Sequence, residues 1–181
     1  MKKVFRIAGI LVLGLTFFVL IAALFVNKEY KVERSITINQ PKQVVFDYTR
    51  YLKNQDNFSV WSKMDPNMKK DYRGTDGTIG FVSAWDSKKK EAGTGEQEIT
   101  GITDNERIDY EIRFLKPMKS TDDAYLLFND VSDNVTSVTW GFNGKLNYPM
   151  NLMLAFMDMD SMLGKDLEQG LVNLKSIMEK Q

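Results

Sequence analysis

From Ile7 to Val26 the chain runs for 20 residues without a charge, IAGILVLGLTFFVLIAALFV. A helix of that length, at about 1.5 Å per residue, spans roughly 30 Å, the thickness of a bilayer's hydrocarbon core. In lipid such a segment has few choices, because only a helix or a closed barrel satisfies every backbone polar group. Lys2, Lys3 and Arg6 precede the run, and Asn27, Lys28 and Glu29 follow it. The competing reading is a cleaved signal peptide, whose apolar stretch usually covers about 7–15 residues. This run is longer, and it ends in ALFVNKEY, bulky where a peptidase needs small residues. Cleavage after Ala23 would put Ile21 at an unsuitable position. The expectation is therefore a retained single-pass anchor over residues 1–27, with its helix at about 7–26, followed by one domain over residues 28–181. Lys28, Lys31 and Arg34 nearly balance the basic residues ahead of the helix, so charge asymmetry contributes little to orientation. A six-residue tail stays inside more readily than a domain, which places the domain outside the cytoplasm.

Behind the anchor the hydrophobic period switches twice. Tyr30, Val32, Arg34, Ile36 and Ile38 recur at period two, as in a strand. Asn39 then offers a helix cap and Pro41 suits a first helical turn, where its missing N–H has no partner anyway. Val44, Val45 and Tyr48 fall on one side of that helix, with Phe46 near its edge. KNQDNFSVWSKMDP reads as polar loop holding Phe58 and Trp61. Period two returns with Ile79, Phe81, Ser83 and Trp85, and again over 95–103 and 106–115 around the turn signal Asp104-Asn105. Ile108, Tyr110, Ile112 and Phe114 alternate with Asp109, Glu111 and Arg113, the pattern of a sheet with one wet face. Ala124, Leu126 and Phe128, then Thr136, Val138, Trp140 and Phe142, continue it. After Pro149 the period becomes helical: Leu163, Leu167, Leu171, Leu174 and Met178 form one apolar stripe along about four turns. The stripe needs an apolar partner, and the sheet face is the large one left. The fold class is α+β.

Residue types that are missing remove whole chemistries. The chain has no His and no Cys, which excludes a Ser-His-Asp arrangement, a histidine base and a disulfide framework. It leaves only carboxylates for a metal, so no metal site and no cofactor are expected. GTDGTIG precedes a strand and is a turn, not a phosphate loop. Setting aside Lys2, Lys3 and Arg6 leaves 21 basic residues against 24 acidic ones, a net charge of −3 without a basic footprint for nucleic acid. Carboxylate chemistry stays open: Glu96 and Glu98 share a strand face and Asp86 follows Trp85. Glu98 is the candidate acid or base, against the plainer reading that all three coat a solvated face. Phe81, Trp85, Tyr110, Phe114, Trp140 and Phe142 either line a ligand cavity or fill a core. Met153, Phe156, Met157, Met159 and Met162 make a methionine-rich patch that reads as an adaptable gate or as ordinary packing. Lys88, Lys89 and Lys90 read as a solvated hairpin tip, with anionic headgroups as the functional alternative.

The order strand, helices, five or six strands, long helix resembles the helix-grip fold of the SRPBCC, or START-like, superfamily. The phrases that carry the resemblance are VERSITINQPKQVVFDYTRYLKNQDNFSVWS, GTIGFVSAW, GTGEQEIT, VTSVTW and LGKDLEQGLVNLK, spread over about residues 30–180. Within it the chain resembles the polyketide cyclase/dehydrase and lipid transport group in a membrane-tethered bacterial form. The resemblance implies a curved antiparallel sheet, a C-terminal helix across its concave face and a hydrophobic pocket between them. It further implies a lipid-like or other hydrophobic small molecule as partner, lined by the six aromatic residues together with Asn143, Met153, Phe156 and Met157. Tyr110, Trp140 and Asn143 are the expected polar contacts. Two other functions fit the same pattern: a cyclase- or dehydratase-type lyase or isomerase using that cavity, and a protein-interaction module whose interior is filled.

Overall fold

The computed structural model describes residues 2–180. Helix α1 (Lys2–Leu24) meets the rest at its C-terminal end, where Ala23 is buried, and its other apolar side chains are exposed almost throughout. It is long and apolar enough to cross a membrane, and the same test is met by a signal sequence. The remainder is a seven-stranded antiparallel sheet with helices on one face. Its strands are β1 (Glu29–Ile38), β2 (Lys69–Arg73), β3 (Val82–Asp86), β4 (Thr94–Thr103), β5 (Arg107–Lys116), β6 (Ser120–Ser132) and β7 (Val135–Lys145). The spatial order is β1-β7-β6-β5-β4-β3-β2. Between β1 and β2 lie α2 (Lys42–Arg50), a 3-10 turn (Leu52–Asn54) and two four-residue helices, α3 (Gln55–Phe58) and α4 (Val60–Lys63). A second 3-10 segment (Met150–Ala155) leads into α5 (Met159–Met178).

This is the helix-grip architecture. Period two places Ile108, Tyr110, Leu126, Phe128, Val138 and Trp140 on the concave face, all buried. Opposite them Glu96, Glu98 and Glu111 converge on Arg113 on the convex face, with Arg113 2.7 Å from both Glu96 and Glu98. Helix α5 buries Leu167, Leu171, Leu174 and Met178, each contributing roughly 1.5–3 kcal/mol for leaving water. Its start is fixed twice. Asp158 caps it by accepting from the Ser161 N–H at 3.0 Å, and the Arg34 guanidinium reaches both Asp160 carboxylate oxygens at 2.8 Å. Gly164 makes that clamp fit, since a Cβ there would meet Arg34 Nη2 at 2.1 Å.

Several local expectations change. The loop containing Phe58 and Trp61 is three short helical turns, with Phe58 buried against α5. Strand β2, KKDYR, has a charged sequence without a strand period because it is a sheet edge. Helix α2 buries Val45, Phe46 and Thr49 and leaves Val44 exposed. Asn39 does not cap α2; its N–H donates to Glu179 at the far end of α5. Ile79 precedes β3 and is exposed, while Phe81, Ser83 and Trp85 keep the inward parity.

Candidate ligand-binding cavity

The concave face divides along the strands. At the end where β1 begins and β5 and β7 finish, α5 and the sheet do not meet side chain to side chain, and a cavity of about 320 Å³ lies between them. The opposite end is solid core around Ile38, Phe46, Phe128 and Val138, with the polar Thr136 buried among them. The cavity is roofed by Leu163 and Leu167 of α5 and walled by Leu52, Ser59 and Trp61 from the short helices. Its floor is the sheet. Trp140 stands at the boundary, edge-on to Phe58 at 5.6 Å and to Trp61 at 5.9 Å. Trp85 and Phe114 meet edge to face at 6.0 Å at the other side, and Gly95 between them leaves the room Trp85 needs: a Cβ would lie 2.6 Å from its ring. All three tryptophans of the chain, Trp61, Trp85 and Trp140, line this one space.

Polar groups cross the floor in a single row. Tyr30 pairs with Gly144, Asp122 with Ile112, Ile112 with Gln97, and Gln97 with Ser83. The Tyr30 ring lies flat over Gly144, where a Cβ would come within 2.2 Å of its hydroxyl. Asp122 is only 7% exposed. Its carboxylate accepts from Ser120 Oγ at 2.9 Å and from the Lys145 N–H at 3.0 Å. Burial outweighs those two bonds and pushes its pKa above the ordinary aspartate value. Burial, then the nearby Asp122 charge, raises the Tyr30 phenol to about 12. Gln97 has a buried Nε2 without a hydrogen-bond partner. The wall carries one lysine, Lys70, which is held by Asp56 at 2.9 Å, and Asp56 also accepts from Tyr72 at 2.7 Å.

Four of the residues singled out in the sequence come together here: Trp85, Phe114, Trp140 and Phe142. The others do not line the cavity. Phe81 is core, stacked on Tyr72 at 6.1 Å. Tyr110 is buried between Ile99 and Ala124, one row deeper than the floor, and burial pushes its phenol far up. Asn143 follows Phe142, so parity turns it to the convex face beside Asp123 and Lys31. Glu98 sits on that same outer face, bound to Arg113, so it has no access to the cavity. Met153 and Phe156 are exposed, Phe156 at 85%, because the 3-10 segment turns outward before α5 starts. Met157 lines a separate depression of about 350 Å³ under the end of α1, which shares Tyr30 with the main cavity. None of the row Tyr30, Asp122, Gln97 and Ser83 was among the expected ligand contacts, although Tyr30 and Ser83 stand in the period-two sets and parity carries the other two. Extending the inward set Ala124, Leu126, Phe128 two residues back reaches Asp122, and Ile99 stepped back reaches Gln97.

An aromatic-walled cavity gripped between a curved sheet and a C-terminal helix defines a hydrophobic-ligand-binding fold. The chain belongs to the polyketide cyclase / dehydrase and lipid transport family, whose model matches residues 29–179. Solved structures share the fold at low identity. A Nitrosospira multiformis protein is 19% identical, with 82% of this chain and 96% of that one covered at a TM-score of 0.55. Ara h 8.0201 is 15% identical over 84% and 99%, at 0.57. The di-domain ARO/CYC StfQ from the steffimycin biosynthetic pathway is 11% identical over 84% of this chain and 51% of its own, at 0.62. No curated protein matches the chain in sequence.

Proposed function

We propose that the protein binds and carries a hydrophobic, lipid-like small molecule in the cavity beneath α5, and that α1 holds residues 28–181 at a membrane as a single-pass anchor with the domain outside the cytoplasm. The observation that carries this reading is the unfilled, largely apolar space of about 320 Å³ between helix and sheet. The interaction-module reading needs a filled interior, and this space weighs against it. Transfer of apolar ligand surface into such a space contributes roughly 25 cal/mol per Å², while the few polar floor groups set orientation. The three cavity tryptophans make occupancy visible. Native mass spectrometry of the full chain released from nanodiscs should show a bound hydrophobic mass. Ala124→Leu, which adds bulk on the floor next to Phe142, should lose that mass while keeping the fold. A chain that is ligand-free after exposure to total lipid extract, with unmoved tryptophan emission, overturns the reading.

A second reading has its own observation. Asp122 is a buried, cavity-facing carboxyl with a raised pKa, next to the Tyr30 hydroxyl. Burial that raises a carboxyl's proton affinity is one way a side chain is fitted for proton transfer. A cyclase- or dehydratase-type lyase or isomerase would use this pair. Its test is turnover of a cyclisable polyketide chain by the wild-type protein, abolished in Asp122→Asn; no turnover of such chains by a protein that binds them rejects it.

A further inference from the structure

From Leu146 to Met157 the chain runs a second time without a charge, LNYPMNLMLAFM. A run of this kind in a domain surrounded by water turns its apolar side chains inward. Here the arrangement is inverted. The fully buried residue of the 3-10 segment is the polar Asn151, while Met150, Met153 and Phe156 are exposed. Single exposed apolar residues need no explanation, but three on one short segment beside an exposed apolar helix form a patch.

Hydrogen bonds fix the level of this segment against α1. The Asn151 side chain donates to the Ala23 and Val26 carbonyls at 2.7 and 2.8 Å, and the Tyr148 hydroxyl to the Leu20 carbonyl at 3.2 Å. Leu20 lies about 6 Å inside the end of α1 at Leu24, at the usual helical rise. The boundary between charged and apolar residues is shared as well. Lys28 is the first charge after the first run, and Lys145 is the last before the second. The Leu146 N–H donates to the Lys28 carbonyl at 2.8 Å, and Lys145 reaches Glu29 at 3.1 Å. Both segments therefore turn from charged to apolar at one level.

That shared level says what covers the patch. Helix α1 exposes apolar side chains on every side, which calls for an apolar medium and not for a single partner face. A surface bonded to it at the same level meets the same medium. Charge adds no attraction to anionic headgroups: Lys28, Lys31 and Lys145 near the segment are offset by Glu29, Glu33, Asp158 and Asp160. We propose that residues 148–157 are a second membrane contact, in which Met150, Met153 and Phe156 enter the leaflet that holds the end of α1 and seat the domain directly on the bilayer. The proposal rests on the reading of α1 as a retained anchor. Attachment is by apolar insertion, as for an interfacial segment lying beside a span.

The chain has no cysteine, so spin labels can be placed one at a time. The test uses the full chain in phosphatidylcholine nanodiscs, with a nitroxide on Phe25→Cys, Met153→Cys, Phe156→Cys or Asp133→Cys. All four positions are exposed, so the fold tolerates the changes. Phe25 reports α1, and Asp133 lies between β6 and β7 at the far end of the sheet from Lys145. Relaxation by oxygen, which concentrates in lipid, is compared with relaxation by a water-soluble nickel chelate. The oxygen-to-nickel ratio at Met153 and Phe156 should exceed that at Asp133 about tenfold and approach that at Phe25, because hydrocarbon excludes the chelate. Replacing part of the lipid by phosphatidylglycerol should leave the ratio as it is. A ratio at 153 and 156 equal to that at 133, with Phe25 in lipid, overturns the proposal and spares the anchor. Shielding of Phe156 from both reagents overturns it by putting protein on the patch. Contact that needs phosphatidylglycerol overturns apolar insertion in favour of headgroup attraction. A ratio at Phe25 as low as that at Asp133 removes the anchor reading and this proposal with it.

Discussion

Trp140 occupies the space that a side chain at position 170 would need: a Cβ on Gly170 would lie 2.7 Å from Trp140 Cζ3. Two effects of Gly170→Ala oppose each other. Alanine in a helix interior is favoured over glycine by about 1 kcal/mol. The ring, however, packs edge to face against both Phe58 and Trp61, which limits how far it can swing, and forcing an extra carbon into a packed site typically costs about 1–3 kcal/mol. Overpacking wins. The variant should unfold at lower urea concentration, by about 1 kcal/mol, with a shift in native tryptophan emission as Trp140 is pushed into the cavity. An unaltered or raised midpoint would show that the ring has slack.

Glu98 gives the opposite expectation. It faces away from the cavity and shares Arg113 with Glu96 and Glu111, which remain after Glu98→Gln. Partly exposed pairs of this kind contribute about 0–1 kcal/mol each. The substitution should therefore change stability by less than about 1 kcal/mol and leave ligand-induced tryptophan emission as it is. A loss of ligand response would mean that the convex face communicates with the cavity.

These two residues also mark how far the sequence could be read. Element order, the concave and convex faces and the stripe of α5 all follow from periods of 2 and 3.6, which a single chain displays. The candidate cavity was half legible for the same reason: Trp85, Phe114, Trp140 and Phe142 have inward parity and lie toward one end of their strands. Tyr110 and Phe81 have the same parity, yet they lie one row deeper, where sheet and helices close. That distinction depends on where α5 lifts off the sheet, a long-range property with no local pattern. Glu98 and Asn143 were misplaced by choosing residues for their chemistry ahead of their parity. Asp122 was hidden by its neighbour: in Asp122-Asp123 two identical side chains take opposite faces, and only Asp122 is buried. Trp61 could not be placed because its turn of helix has no period long enough to read.

Asp122 makes a pH prediction whose sign is fixed by burial. Its native pKa lies above the unfolded value, so over that window the native state holds more protons than the unfolded chain and stability falls as pH rises. The contribution is complete below the unfolded pKa and is lost as pH climbs through the native one. Carboxylates with lowered pKa, among them Glu33 beside Tyr125 and Lys31, act in the opposite sense and are unaffected by a change at 122. The informative quantity is thus the difference between wild type and Asp122→Asn, which does not titrate. Relative to wild type, the asparagine variant should fare worst near pH 4, about the unfolded aspartate value, and should gain steadily toward pH 7. Urea midpoints at both pH values measure this. A difference that is flat with pH, or that moves the other way, would mean that the Ser120 and Lys145 hydrogen bonds outweigh burial.

Asn151 connects the two halves of the chain. It is fully buried, and its Nδ2 donates to the carbonyl oxygens of Ala23 at 2.7 Å and Val26 at 2.8 Å, the last turn of α1 and the residues just past it. A helix end leaves four carbonyls without intrahelical partners, so this side chain does the work of a C-cap from another part of the fold. Tyr148 adds a bond from its hydroxyl to the Leu20 carbonyl at 3.2 Å. Together they hold the exposed Met150, Met153 and Phe156 beside the end of the apolar helix. If α1 spans a bilayer, as proposed, the joint sets how the domain stands on the membrane, with the depression that shares Tyr30 with the cavity at its base. Asn151→Ala removes the shared donor and should cost about 1–3 kcal/mol at the joint. The sheet does not depend on this contact, so its urea midpoint should stay put while amide exchange over residues 20–28 accelerates at least tenfold in nanodiscs. Protection that is unchanged in the variant would show that α1 and the domain are joined by the chain alone.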